Sequence, residues 1–260
     1  MKLGLFFDIR NPEPWARPWP DVYARTLEVI TDAEALGADA VWFTEHHLFD
    51  DGYLTQPLVM LAAVAARTRR IGLGTAVLLA ALRPAALIAE EAALVDQLSG
   101  GRLQLGFGAG YSPREYALYD KDLAERYALT DAALVEVRRL LDDGIVTPPA
   151  ARRPFPFWLG YQGPKGARRA GRLGVGLLSL DRSLLEPYRY AHQLNTYRHA
   201  TVAGSDAPTP REITVDKLLA GSDGRGSIPG LRILTPADAI TAIRDATDGA
   251  PVEHVYLWAS

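Results

Sequence analysis

One carboxylate and two imidazoles stand in succession at Glu45-His46-His47, the side-chain types best suited to moving protons near neutral pH. They end the short apolar run Val41-Trp42-Phe43-Thr44. Ahead of that run, Asp32-Ala33-Glu34-Ala35-Leu36 reads as a helix that stops at Gly37, with a strand starting near Ala40. The acid and the imidazoles therefore fall where a strand hands over to a loop, the end at which parallel α/β proteins bind ligands. Neighbouring side chains on an extended chain point to opposite sides. One of His46 and His47 is expected at the mouth, and the residues leave open which; a histidine bonded to a loop carbonyl is the structural alternative for either. No H-E-x-x-H spacing or third ligand accompanies them, so no metal site is expected.

Two further strand ends carry the same kind of signal. In Leu105-Gly106-Phe107-Gly108-Ala109-Gly110-Tyr111, glycines at alternate positions let backbone lie flat against a planar ligand, with the Tyr111 ring at the rim. Ser112-Pro113-Arg114-Glu115 follows as a capping box with proline in the first turn. Glu115 either completes that cap or adds a second carboxylate to the site. The third is Trp158-Leu159-Gly160-Tyr161-Gln162-Gly163-Pro164-Lys165-Gly166-Ala167-Arg168. A strand ends in glycine and a proline-initiated helix begins, so free amides near Lys165, Gly166 and Ala167 form a ready anion site. Lys165, Arg168 and Arg169 oppose the helix dipole there and call for a compensating anion. A phosphate is the natural guest, an ordinary charged helix the alternative. His192 and His199, seven apart, read as the solvated face of a helix, and the aromatic loop 11–19 as a cover over the pocket or a rigid turn.

The elements that must position these residues alternate along the chain. Strands are expected at 3–8, 40–44, 71–78, 103–107, 156–160, 175–180, 213–220 and 252–258, most of them continuous apolar runs as in strands buried on both faces. Thr55-Gln56-Pro57, Arg83-Pro84, Pro164 and Pro236 open helices between them, and Ser99-Gly100-Gly101 closes one. The proline- and arginine-rich stretch 147–156 reads as an exposed loop. This alternation predicts an α/β fold of the TIM (β/α)8 barrel type as one domain over residues 1–260, shortened by the helix that would follow its last strand. No G-x-G-x-x-G follows the first strand, which argues against a doubly wound dinucleotide fold.

Composition narrows the function. The chain has 260 residues, 48% hydrophobic and 23% charged, enough for one large domain with a full core. A net charge of -3 gives no electrostatic case for nucleic acid or an anionic membrane as partner. With Cys 0, disulfides, thiolate zinc sites and cysteine nucleophiles are excluded. The start Met1–Asp8 reads as a strand and not as a signal peptide, so a cytoplasmic protein is expected.

Taken together, the stretches 33–47, 89–111 and 157–172 resemble, in order, the bacterial luciferase-like family of barrel oxidoreductases, which use reduced FMN or the deazaflavin F420. The resemblance implies that His46 is the active-site histidine beside the flavin's reactive edge, with Glu115 as a second catalytic candidate. It implies a bulge behind the flavin at Thr75, Ala76 and Val77, with the Ala76–Val77 peptide the candidate for a non-proline cis bond. Glu45, Ala109, Tyr111, Gly160 and Gln162 are implied to adjoin the cofactor, and Gly163, Lys165 and Gly166 to grip its phosphate. Many FMN-using relatives place arginine where this chain has Ala109; many F420-using ones do not, which leaves the flavin open. The activity implied is oxidation of a small organic substrate, a monooxygenase with reduced FMN and O2 first and F420-dependent hydride transfer second. A homodimer fed by a separate flavin reductase is the implied assembly. Shortened members that bind flavin without turnover supply a third reading.

Overall fold

In the computed structural model, residues 2–13, 16–179, 199–203, 241 and 254–259 are described. Six parallel strands, β1 (Lys2–Phe7), β2 (Ala40–Phe43), β3 (Gly72–Thr75), β4 (Leu103–Phe107), β5 (Phe157–Leu159) and β6 (Gly176–Ser179), pair each with the next. Two more, β7 (His199–Ala203) and β8 (His254–Ala259), continue that order, and β8 lies parallel against β1. Helices α1 (Trp19–Ala35), α2 (Pro57–Arg67), α3 (Ala85–Ser99), α4 (Pro113–Leu118), α5 (Arg126–Asp142) and α6 (Gly163–Leu173) fill the connections up to β6.

The strand sequences explain both layers of the core. In β2, Ala40 and Trp42 face the inside of the curled sheet while Val41 and Phe43 face the helices, the alternation of a pleated strand. Trp42 and Trp158 meet inside as a T-shaped pair with centroids 5.8 Å apart, and Trp158 Nε1 donates to Gln104 Oε1 at 3.0 Å. Both indoles need a bare neighbour: a Cβ on Gly74 would come within 2.3 Å of Trp42, and one on Gly176 within 2.1 Å of Trp158. Ala76 and Val77 pack on this plug. The inside is thus a filled floor beneath a mouth formed by the strands' C-terminal ends.

Several expectations are met and several corrected. Gly37 ends α1 with φ +96° and Gly100 ends α3 with φ +67°. The third strand is shorter than the apolar run 71–78, because after Thr75 only the single bridge Leu78–Phe107 continues the pairing. His199 begins β7 instead of lying on a helix; the β-branched Thr201 and Val202 that follow suit a strand. His192, the strand expected at 213–220 and the helix expected from Pro236 lie outside the described residues. Within Thr55-Gln56-Pro57 the N-cap of α2 is Gln56, without a side-chain bond, and Pro57 is the first helical residue. The loop at 147–156 is not simply exposed, since Ala150 and Phe155 are buried and Arg152 Nη2 donates to the Leu103 carbonyl at 2.8 Å.

Candidate active site

His46 and His47 follow β2 and diverge, as neighbours on extended chain must. His46 Nδ1 lies 2.8 Å from Glu115 Oε1, and the same oxygen accepts the backbone N–H of His47 at 2.7 Å. Glu115 therefore does not complete a capping box. Ser112 is the N-cap of α4 but makes no side-chain cap bond, because the carboxylate that would answer it is drawn inward to the two histidines. A buried carboxylate beside Nδ1 favours a proton on that nitrogen and turns Nε2 outward as the free acceptor. Nε2 has no partner among the described residues. Glu115 is wholly buried, and its Oε2 has no hydrogen-bond partner among the described residues.

Around the outward edge of His46 stand three rings. Tyr53 meets it edge-on at 4.7 Å, Phe49 at 5.1 Å and Tyr111 at 5.1 Å. Tyr53 and Phe49 are half-buried and Tyr111 is exposed. Desolvation, and then the Asp8 carboxylate, push the Tyr53 hydroxyl up to about 12. Tyr111 is raised too, by desolvation and then by Glu115. Neither phenol is an anion at neutral pH. Phe49 and Tyr53 escaped the sequence reading, although the run Leu48-Phe49-Asp50-Asp51-Gly52-Tyr53 directly after the histidines was a signal for them.

His47 belongs to a second, interior network. Its Nε2 lies 3.0 Å from Glu45 Oε1 and its Nδ1 3.4 Å from the Tyr119 hydroxyl. Glu45 Oε2 accepts the Leu79 amide at 2.8 Å and faces Arg83 at 3.4 Å, and Arg83 reaches Glu91 at 3.1 Å. Glu45 thus ties the end of β2 to the segment after β3 with both oxygens occupied. The Ala76–Val77 peptide in that segment is cis, the isomer the resemblance implied. Thr75 is also engaged internally: its hydroxyl donates to the Gly106 carbonyl and accepts the Gly106 amide, both at 2.9 Å.

Val77 joins the remaining strand ends. A Cβ on Gly108 would come within 2.2 Å of its side chain and one on Gly160 within 2.5 Å, so the ends of β4 and β5 close onto it. Ala109 is buried, and its carbonyl accepts the Tyr116 hydroxyl at 2.6 Å. From Gly160 the chain turns through Gln162, the N-cap of α6, which makes no side-chain cap bond. Gly163 has φ +81°, and a Cβ there would meet nothing within 4 Å. Lys165 is exposed beside this open helix start, and Gly166 is buried against Tyr161. Arg169 is turned away into an ion pair with Asp131. Uncapped amides, open space at Gly163 and the exposed Lys165 ammonium fit a phosphate, and the glycines closed onto Val77 offer bare backbone to a planar ring system. The chain's residues therefore suit a flavin-type cofactor. Among the described residues no group of three or more His, Cys, Asp or Glu is arranged to hold a metal ion.

A family model described as luciferase-like monooxygenase matches residues 1–215. The chain belongs to that family. It is similar to the F420-dependent glucose-6-phosphate dehydrogenase of Amycolatopsis mediterranei, 30% identical over 184 residues that cover 62% of this chain and 55% of the relative. The chain thus spans about half the length of the curated relatives it matches. Among solved structures it resembles monooxygenase RslO1 from Streptomyces bottropensis, with a TM-score of 0.82, 22% identity and coverage of 100% of this chain and 92% of that one. The oxygenating constituent of 3,6-diketocamphane monooxygenase from Pseudomonas putida, in complex with FMN, gives 0.72 at 17% identity, covering 98% and 91%. A relative named for F420 and a structural neighbour in complex with FMN thus both stand among the proteins this chain is similar to. No helix among the described residues is long and apolar enough to cross a membrane.

Proposed function

We propose that this protein is a flavin-dependent oxidoreductase of (β/α)8 barrel architecture, and specifically a monooxygenase that uses reduced FMN and O2 on a small organic substrate. The observation that carries the reading is the His46–Glu115 pair, 2.8 Å apart and opening onto an aromatic mouth. The cofactor, when bound, supplies the redox chemistry. The chain's own residues do the rest. The amides of Gly163, Lys165 and Gly166, with the Lys165 ammonium, hold the phosphate. Val77 and the glycines packed on it shape the floor. His46 Nε2 takes or returns a proton, and Glu115 stabilises the imidazolium that forms. The rings of Phe49, Tyr53 and Tyr111 exclude water.

A second reading, F420-dependent hydride transfer, is favoured by Ala109, which offers no cation between Gly108 and Gly110. Fluorescence titration with FMN and with F420, followed by oxygen uptake with each reduced cofactor, separates them. Substrate conversion without oxygen consumption excludes the monooxygenase, and failure to bind either cofactor excludes both.

The assembly is a homodimer formed through α2 and α3. Val59, Leu87, Leu94 and Leu98 support it, apolar side chains exposed by 67, 43, 54 and 54% on those two helices. A separate reductase supplies the reduced flavin. Analytical ultracentrifugation is expected to give a dimer, and a monomer for the double variant Leu94→Glu, Leu98→Glu.

A further inference from the structure

The substrate class is written in the same mouth. We infer that the site takes a planar aromatic substrate bearing a hydroxyl group, seated among Phe49, Tyr53 and Tyr111 with its O–H at Nε2 of His46; this rests on the oxidoreductase reading above.

Three observations carry it. First, the rings are mutually inclined and not stacked: Tyr53 stands at 87° to the His46 ring, Tyr111 at 60°, and Phe49 at 53° to Tyr53. Inclined rings present both edges and faces, which a further aromatic ring meets better than a flexible alkyl chain does. Tyr111 is 64% exposed, leaving a large apolar surface for a ligand to cover.

Second, the loop that carries Phe49 and Tyr53 is held in place before any ligand arrives. Arg10 and Asp51 form an ion pair, and the Asn11 amide donates to the Asp51 carbonyl at 2.8 Å. Gly52, at φ +80°, packs so closely on Trp19 that a Cβ would come within 2.2 Å of the indole. The Arg10 guanidinium sits 5.3 Å from the centroid of the Tyr53 ring. A preorganised box loses little conformational entropy when it binds a rigid guest.

Third, the polar equipment suits a neutral hydroxyl. The Arg10 guanidinium beside Tyr53 is paired with Asp51. His46 Nε2, with Nδ1 held by Glu115, is an acceptor beside these rings. The O–H proton moves to Nε2, the electron pair stays on the substrate oxygen, and the new imidazolium keeps Nδ1–H on Glu115. An aldehyde or alkane has no such proton to give.

The test is equilibrium binding of 2-naphthol, with 1-decanol as the aliphatic comparator, alongside separate FMN and F420 titrations. Wild type and the single variants Phe49→Ala, Tyr111→Ala and Tyr111→Phe are compared, with circular dichroism to establish folding. The wild type is expected to bind 2-naphthol about tenfold more tightly than 1-decanol, and each ring deletion to weaken 2-naphthol about tenfold. Cofactor affinity stays within about twofold and Tyr111→Phe restores 2-naphthol binding. Equal or tighter binding of 1-decanol overturns the inference, as does parallel loss of 2-naphthol and cofactor, which would assign the rings to the cofactor instead. Cofactor binding without 2-naphthol binding defeats this inference alone. Ring-dependent 2-naphthol binding without either cofactor supports the box and defeats the redox reading alone.

Discussion

One oxygen of Glu115 serves two neighbours in sequence, His46 through Nδ1 at 2.8 Å and His47 through its backbone amide at 2.7 Å. It sets the orientation of the first imidazole and the course of the chain into the second. Replacement by glutamine keeps an acceptor of the same shape and removes the charge. Glu115→Gln is therefore expected to lower kcat by about ten- to a hundredfold, with cofactor affinity unchanged. Glu115→Ala strands the buried His47 N–H as well, and is expected to cost about 1–3 kcal/mol of stability in urea titrations.

The two histidines are expected to fail differently. His46→Asn removes the acceptor at the mouth and should lower kcat by about 10²–10⁴-fold while flavin titrations stay as in wild type. His47→Asn instead disturbs the interior network with Glu45 and Tyr119. Its expected signature is a loss of about 3 kcal/mol in stability with a modest change in kcat. The opposite pattern would assign the chemistry to His47.

Much of this was legible in the sequence, and the gaps have physical reasons. Strand ends could be placed because apolar runs stop at polar or glycine residues, as at Phe43 and Leu159. Which histidine faces the mouth was not legible, because that depends on Glu115, sixty-nine residues away. Local reasoning left Glu115 open between the cap of its own helix and a second carboxylate at the site; a tertiary partner took it. The opposite happened at Arg102, part of one of the three matching stretches. It bonds the Ile71 carbonyl at 2.7 Å, the Thr68 hydroxyl at 2.9 Å and the Ser99 carbonyl at 2.6 Å, all at the end of the sheet away from the mouth. A residue that marks a family by sequence thus works here on the scaffold and not on the chemistry.

Acid is expected to loosen the corner at Glu34. Although desolvation raises its pKa, backbone N–H bonds from Ile71, Arg70 and Arg69 outweigh that and leave it below the ordinary 4.5. A depressed carboxylate contributes stability above its unfolded pKa and loses it as pH falls through the folded value. Wild type should therefore lose stability below about pH 4.5 in part through this group. Glu34→Gln should be less stable than wild type at neutral pH, with the gap closing as the solution is acidified. A gap that stays constant with pH would mean the charge contributes nothing.

Glycines separate the scaffold from the phosphate site. A methyl on Gly106 would sit 2.1 Å from the Thr75 carbonyl oxygen, which is backbone and cannot swing aside, so Gly106→Ala is expected to cost about 3 kcal/mol or more. Gly163 and Gly37 both have open space around a Cβ, with φ of +81° and +96°, so alanine at either costs about 1 kcal/mol of backbone strain. The two differ in place: Gly37 follows α1 at the far end of the sheet, whereas Gly163 opens α6. Gly163→Ala should therefore also weaken FMN or F420 about tenfold, because the methyl intrudes where a phosphate oxygen would approach the amides. Gly37→Ala, with similar strain, should leave cofactor affinity at the wild-type value. If both variants bind cofactor like wild type, the start of α6 does not hold the phosphate and another strand end must.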